Sequence, residues 1–173
     1  MKTSLTLKPI TLKDIDSVMT WVNDPEVVRN FQHFGKKFSR ADELKFMGQL
    51  IKSKINIAFS IFRKSDGAYI GQCAVNQIAW ENKIGRLALV IVRNEWNKGY
   101  AQQILPLLVK HAFAKLKLHK VWLMCYASNA KALHIYKKLG FKQEGVLRKE
   151  YLWRGQYHNM VRMAMLKEEF TRS

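Results

Sequence analysis

Acidic residues are scarce in this chain. Against 30 Lys and Arg stand 13 Asp and Glu, a formal charge of +17 over 173 residues. Such an imbalance disfavours a polycationic ligand and favours anions: phosphorylated cofactors, nucleotide-linked substrates, acidic peptides or RNA. The basic residues are scattered as short pairs, Lys36-Lys37, Arg63-Lys64, Lys137-Lys138 and Arg148-Lys149, and no block or tail singles out nucleic acid. No RNP-like, helix-turn-helix or zinc-finger pattern occurs, so RNA contact rests on charge alone. Cysteine is nearly absent too: Cys73 and Cys125 lack CxxC spacing and a histidine cluster. That excludes a disulfide framework and leaves no metal site in view; two buried, reduced thiols and a cytoplasmic location are expected. Apolar runs end at six or seven residues, too short to span a membrane. Met1 to Lys8 alternates polar and apolar residues without a signal-peptide block. Repeats, linkers and low-complexity segments are missing, so one domain over residues 1–173 is expected.

What remains is globular: 48% apolar residues cannot stay unburied. Ser4 to Pro9 reads as a strand, and Thr11-Leu12-Lys13-Asp14 as a capping box opening a helix through Trp21 or Val22. Asn23-Asp24-Pro25 breaks it. Ser39-Arg40-Ala41-Asp42 repeats the capping signal ahead of Leu44, Met47, Leu50 and Ile51 at helical spacing. Strands follow at Ile55 to Arg63, Tyr69 to Ala79 and about Arg86 to Val92. A helix from Gly99 to Leu116 carries Ile104, Leu105, Leu108, Ala112, Phe113 and Leu116 on its core side, with Pro106 as a candidate kink. Val121 to Tyr126 is a strand and Asn129 to Leu139 a helix stopped by Gly140. A hairpin, Phe141 to Trp153 and Tyr157 to Leu166, turns at Arg154-Gly155. The order is β-α-α-β-β-β-α-β-α-β-β, an α/β mixed sheet with helices on both faces.

Two segments carry chemistry. Trp96-Asn97-Lys98-Gly99-Tyr100-Ala101 joins the apolar strand Leu87 to Val92 to a helix. A strand entering a small-residue turn leaves unpaired N–H groups at the positive end of the helix dipole, a place for phosphate or pyrophosphate. Asn129, Ala132 and Tyr136, spaced by three and four, share one helical face and put a phenol two turns from an amide. A tyrosine on a mostly apolar helix is more often core than catalyst; its neighbours change that balance.

Both segments resemble motifs of the GCN5-related N-acetyltransferase (GNAT) superfamily. Trp96 to Ala101 is similar to its acetyl-CoA loop, Q/R-x-x-G-x-G/A, with Trp96 where Gln or Arg is usual. Asn129, Ala132, Tyr136, Gly140 and Phe141 meet N-x-x-A-x-x-x-Y-x-x-x-G-F in full. The stretches Leu139 to Leu147 and Gly155 to Met163 look like the branch of ribosomal-protein N-terminal and spermidine acetyltransferases. The resemblance implies the GNAT fold and acetyl-CoA as cosubstrate, with no metal. It implies that the backbone of Asn97, Lys98, Gly99, Tyr100 and Ala101 holds the pyrophosphate. Ile91 and Val92 then pair with the pantetheine amides, Asn129 and Ala132 border the cofactor arm, and Tyr136 protonates the departing thiolate as general acid. Trp21, Asn23, Phe31, His33, Tyr151 and Tyr157 are candidates for the acceptor side. Where related enzymes often carry a Glu, this chain reads Gly85-Arg86-Leu87-Ala88. The base is therefore unassigned among Glu81, Glu95, Glu144, His158 and a water chain. The expected activity is acetyl transfer to a primary amine, the acceptor a protein N-terminus or a nucleotide-linked amino sugar. The alternatives are a spermidine, polyamine or aminoglycoside acetyltransferase, or a degenerate CoA-binding or RNA-binding module. A homodimer is allowed.

Overall fold

The computed structural model describes residues 4–29 and 37–170. In chain order the elements are β1 (Leu5–Pro9), α1 (Ile15–Met19), α2 (Pro25–Val28), α3 (Arg40–Lys52), β2 (Ile57–Arg63), β3 (Tyr69–Ala79) and β4 (Ile84–Ile91). Then come α4 (Tyr100–Ala114), β5 (Lys120–Tyr126), α5 (Ala130–Lys138), β6 (Lys142–Trp153), β7 (Gln156–Leu166) and a last turn of helix, α6 (Lys167–Phe170). The expected order therefore holds, with α2 and α6 added. The first helix is shorter than its capping box suggested. Thr11 and Asp14 do form the box, Thr11 N–H to Asp14 Oδ2 at 2.9 Å, but it opens a 3-10 turn, and α1 ends at Met19. Asp24-Pro25 stops one helix and starts another: Asp24 Oδ1 accepts from Glu26 N–H at 2.9 Å with proline in the first turn. Phe31 and His33 lie outside the described residues.

One seven-stranded sheet runs β1-β2-β3-β4-β5-β7-β6. Every neighbouring pair is antiparallel except β4 and β5, which are parallel and need α4 as their crossover. Period-two alternation divides the core. Phe59, Ile61, Cys73, Val75 and Leu87 face α4, where Ile104, Leu105, Leu108 and Ala112 are buried at the spacing read from sequence. Ala58, Ala74 and Val90 face the opposite way, against Val18, Trp21 and Met47 of the α1–α3 layer. Each fully buried aliphatic side chain contributes roughly 1.5–3 kcal/mol, so both faces are firmly covered.

The functional consequence lies between β4 and β5. Their ladder is short: Ile84 opposite Lys120, Gly85 opposite Val121, Arg86 opposite Trp122, and nothing beyond. Closure at that end depends on Gly85, where a Cβ would lie 2.6 Å from Val75 Cγ1 and 2.8 Å from Leu118 Cδ1. Past Arg86 and Trp122 the strands part, and the sheet opens like a V.

Candidate active site

A cavity of about 720 Å³ fills the V, bounded by Leu87–Ile91 of β4, Leu123–Tyr126 of β5 and the N-terminal ends of α4 and α5. That volume suits the buried part of a large small-molecule ligand. Its β4 wall is polar backbone. Val92 N–H donates to the Ile70 carbonyl at 3.0 Å, and backbone groups alternate sides along a strand. Val92 and Val90 therefore turn to β3, while Leu89 presents N–H and C=O across the gap and Ile91 its N–H, the Ile91 carbonyl being taken by the Trp96 indole. The expectation that Ile91 and Val92 both offer their backbone is corrected here. Ile91 keeps its N–H toward the gap; Val92 has its N–H committed, is 8% exposed and belongs to the core under α1–α3.

At the mouth lies the loop Trp96–Gly99. Trp96 donates its indole N–H to the Ile91 carbonyl at 2.7 Å, tying the loop back to β4. The large ring thus substitutes a structural hydrogen bond for the side-chain donor the motif usually supplies. Asn97 (φ 64°) and Gly99 (φ 76°) both take left-handed backbone, and no side chain caps α4. The first N–H groups of the helix, from Tyr100 and Ala101 onward, thus have no partner in the helix and point to the mouth. Lys131 of α5 bonds Asn97 Oδ1 and lines the same opening. Below the loop, Glu95 is 8% exposed and receives Arg63 Nη1 at 3.1 Å and Lys98 Nζ at 2.9 Å; Arg63 also reaches the Tyr100 hydroxyl at 2.9 Å. Lys98 is therefore engaged with Glu95, and its side chain is not part of the cavity wall.

α5 supplies the far wall. Asn129 Oδ1 accepts from Ala132 N–H at 3.0 Å, capping the helix; the two residues and Tyr136 all border the cavity. Tyr136 packs obliquely on Phe141, ring centroids 6.1 Å apart, so the Gly140-Phe141 end of the motif holds the phenol in place. Burial, with the Cys125 thiol nearby, pushes the Tyr136 hydroxyl above the ordinary tyrosine value. Cys125 is itself pushed up to about 11 and Cys73 to about 12, both by burial. Neither sulfur is a thiolate near neutrality, and the thiolate is the nucleophilic form.

The acceptor-side candidates fare unevenly. Trp21 is core: 9% exposed, its indole N–H on the Tyr69 hydroxyl at 3.1 Å, away from the cavity. Asn23 is a clamp, its amide bonding the Phe38 N–H at 2.8 Å and the Phe38 carbonyl at 2.9 Å. Both expectations are corrected by the same cause: a short α1 turns these side chains inward to fasten the helical layer. Tyr157 is exposed on β7. Tyr151 is buried and stands edge-on to Tyr126, centroids 5.5 Å apart; Tyr126 lines the cavity and donates to the Arg29 carbonyl at 2.8 Å. Burial and the neighbouring Tyr151 raise the Tyr126 hydroxyl to about 12. His158 meets Tyr126 edge-on at 5.3 Å, one residue back from the cavity wall. Glu81 is exposed in the β3–β4 turn, Glu144 pairs with Lys120 and Arg162, and Glu95 is held by two cations. Sequence reading missed Asn76 and Arg29, and it treated Arg86 only as the place of a missing glutamate. All three line the cavity; strand pairing brings Asn76 and Arg86 there, and Arg29 reaches it from the end of α2.

Comparison with known proteins agrees with this geometry. The acetyltransferase (GNAT) domain family matches residues 4–142. An uncharacterized N-acetyltransferase, p20, from Bacillus licheniformis is 27% identical over 168 residues, 96% of this chain and 94% of its own. The spermidine N(1)-acetyltransferase of Escherichia coli K12 is 28% identical over 168 residues, covering 96% and 88%. In three dimensions the chain superposes on the spermidine N-acetyltransferase of Vibrio cholerae, solved with CoA and spermine. The TM-score is 0.93 over 98% of this chain and 99% of the other, at 22% identity, a likeness of fold.

Proposed function

This chain belongs to the GNAT acetyltransferase family and is an acetyl-CoA-dependent N-acetyltransferase, and from that premise we propose that it transfers the acetyl group directly to a primary amine inside the β4–β5 cleft. The observation that carries this is the parting of β4 and β5 after Arg86 and Trp122. It sets a free strand edge between the uncapped α4 amides and Tyr136. The diphosphate of the donor lies on the N–H groups of Asn97 to Ala101, with Lys131 beside it. The pantetheine amides pair with the Leu89 backbone and the Ile91 N–H as an added strand. The neutral amine attacks the thioester carbon; the new C–N bond forms and the C–S bond breaks. Tyr136 gives its proton to the leaving sulfur, and the proton lost by the amine returns to it through solvent. Holding both reactants at one carbon supplies much of the acceleration. The raised values of Cys125 and Cys73 oppose a relay through an acetylated cysteine.

For the acceptor, the named relatives favour a polyamine over a protein N-terminus, reversing the order that charge and local resemblance had suggested. A specific observation favours a second reading, an amine that itself carries negative charge. Arg86 and Lys131 line the cavity beside Arg29, which pairs with Glu26 at 3.1 Å, and the carboxylate among the described lining residues, Glu95, is already paired twice. The test is CoA thiol release from acetyl-CoA with polyamines, amino-terminal peptides, nucleotide-linked amino sugars and aminoglycosides, run beside calorimetric titration of acetyl-CoA. Turnover of one class with saturable donor binding is expected. A folded protein that does not bind acetyl-CoA refutes the reading.

A further inference from the structure

At the floor of the V, the Asn76 amide oxygen and the Arg86 guanidinium stand together with no hydrogen-bond or ion-pair partner among the described residues. Asn76 of β3 is directly opposite Arg86 of β4, and both border the cavity. Directly opposed residues of an antiparallel pair share a face with Cβ atoms about 5 Å apart. Asn76 Oδ1 is buried and accepts no hydrogen bond among the described residues. The Arg86 guanidinium makes no ion pair among them either; its contact is with the Trp122 ring, 5.5 Å from the centroid. A ring contact leaves the guanidinium N–H groups without an acceptor; Arg162 lies over the same ring at 4.2 Å but also pairs with Glu144 at 3.2 Å. Arg86 has no such carboxylate among the described residues and borders the cavity.

We propose that Arg86 and Asn76 form an acceptor subsite that selects an amine bearing an oxyanion, a carboxylate or a phosphate, over a diamine or polyamine. The proposal rests on the cleft being the place of acetyl transfer and names the acceptor class for it. The donor and acceptor groups fit one molecule. A planar guanidinium grips two oxygens of a carboxylate or phosphate. Beside it, the amide oxygen takes an N–H of the neutral amine and leaves the lone pair free to attack. A second ammonium group there meets the like charge of Arg86, which has no carboxylate partner among the described residues. The same field helps the reacting nitrogen shed its proton, which lessens the need for a carboxylate base at this position of β4.

Matched acceptors that differ in the distal group test it: 4-aminobutyrate against putrescine, and phosphoethanolamine against 1,2-diaminoethane, with spermidine added. The wild-type protein should favour the oxyanion partner at least tenfold in kcat/KM, and the carboxylate and phosphate arms show which oxyanion is preferred. Arg86→Gln should raise the acceptor KM at least tenfold, with the larger share of the loss in KM rather than kcat. The acetyl-CoA KM should not move, and Arg86→Lys should recover part of the loss. Arg86→Glu should turn the preference toward the diamines. Equal or better use of spermidine or a diamine by the wild type overturns the proposal, as does an acceptor KM unmoved in Arg86→Gln or turnover of neither oxyanion amine. Thermal melts identify a variant that fails to fold, in which case Arg86→Lys carries the test. Retained acetyl-CoA binding with the wrong selectivity refutes the subsite alone. Absent acetyl-CoA binding in the wild type removes the transfer reading with it.

Discussion

Replacing Tyr136 by Phe deletes one oxygen and isolates its chemistry. The hydroxyl makes no hydrogen bond with the described residues, and the ring is held by Phe141 at 6.1 Å. Removing it leaves no orphaned partner, so the fold should lose almost nothing, well under about 1 kcal/mol against the 1–3 typical of a broken buried hydrogen bond. As general acid, however, the phenol should supply about 10²–10⁴ in rate, roughly 3–5 kcal/mol of transition-state stabilisation. Stopped-time assays of CoA release should therefore show kcat reduced at least a hundredfold. The acetyl-CoA dissociation constant by calorimetry should stay within about threefold. The pH profile gives a second handle. Because burial raises the Tyr136 value, its proton is still present where an ordinary tyrosine, near pH 10, has begun to lose it. Wild-type kcat should accordingly show no alkaline fall up to about that pH. A Tyr136→Phe protein with kcat within fivefold of wild type would refute the acid role, and a large loss of donor binding would recast the residue as a cofactor contact.

Other outcomes follow from particular contacts. Trp96→Phe keeps the ring but loses the 2.7 Å bond to Ile91. We expect about 1–2 kcal/mol lower stability by denaturant titration and, as the loop before α4 loosens, roughly tenfold weaker acetyl-CoA binding. Glu43 of α3 is 5% exposed with no hydrogen bond or ion pair among the described residues, and burial raises its carboxyl above the usual range. The folded state therefore binds that proton more tightly than the unfolded chain. The associated stability is complete below the ordinary Glu value and is lost as pH rises through the raised one. Glu43→Gln should remove this dependence and raise Tm at pH 7 by roughly 2–4 °C, about 1 kcal/mol; an unchanged or lower Tm would contradict it.

Some features were legible because they are local. The spacing of Asn129, Ala132 and Tyr136, the apolar face of α4 and the Ser39–Asp42 capping box depend on residues within two turns of one another. Each reappears as read. Trp21 and Asn23 were misjudged for the opposite reason. An aromatic or an amide near a helix end has no local signature that separates pocket wall from clamp, and the partners Tyr69 and Phe38 are 48 and 15 residues away. Val92 failed by one step of the strand alternation. The order of residues does not say which of two neighbours turns its N–H to β3.

The family, the order of elements, the glycine turn before α4 and the placing of Tyr136 on the face of Asn129 could be read from the chain alone, because motif spacing and hydrophobic period are local properties. Where the strands separate, that the Trp96 indole braces the loop, and that a guanidinium without an ion pair among the described residues stands at the cavity floor came from the folded molecule. Those facts depend on register between β3, β4 and β5, and register is set by long-range packing that no short window of residues contains.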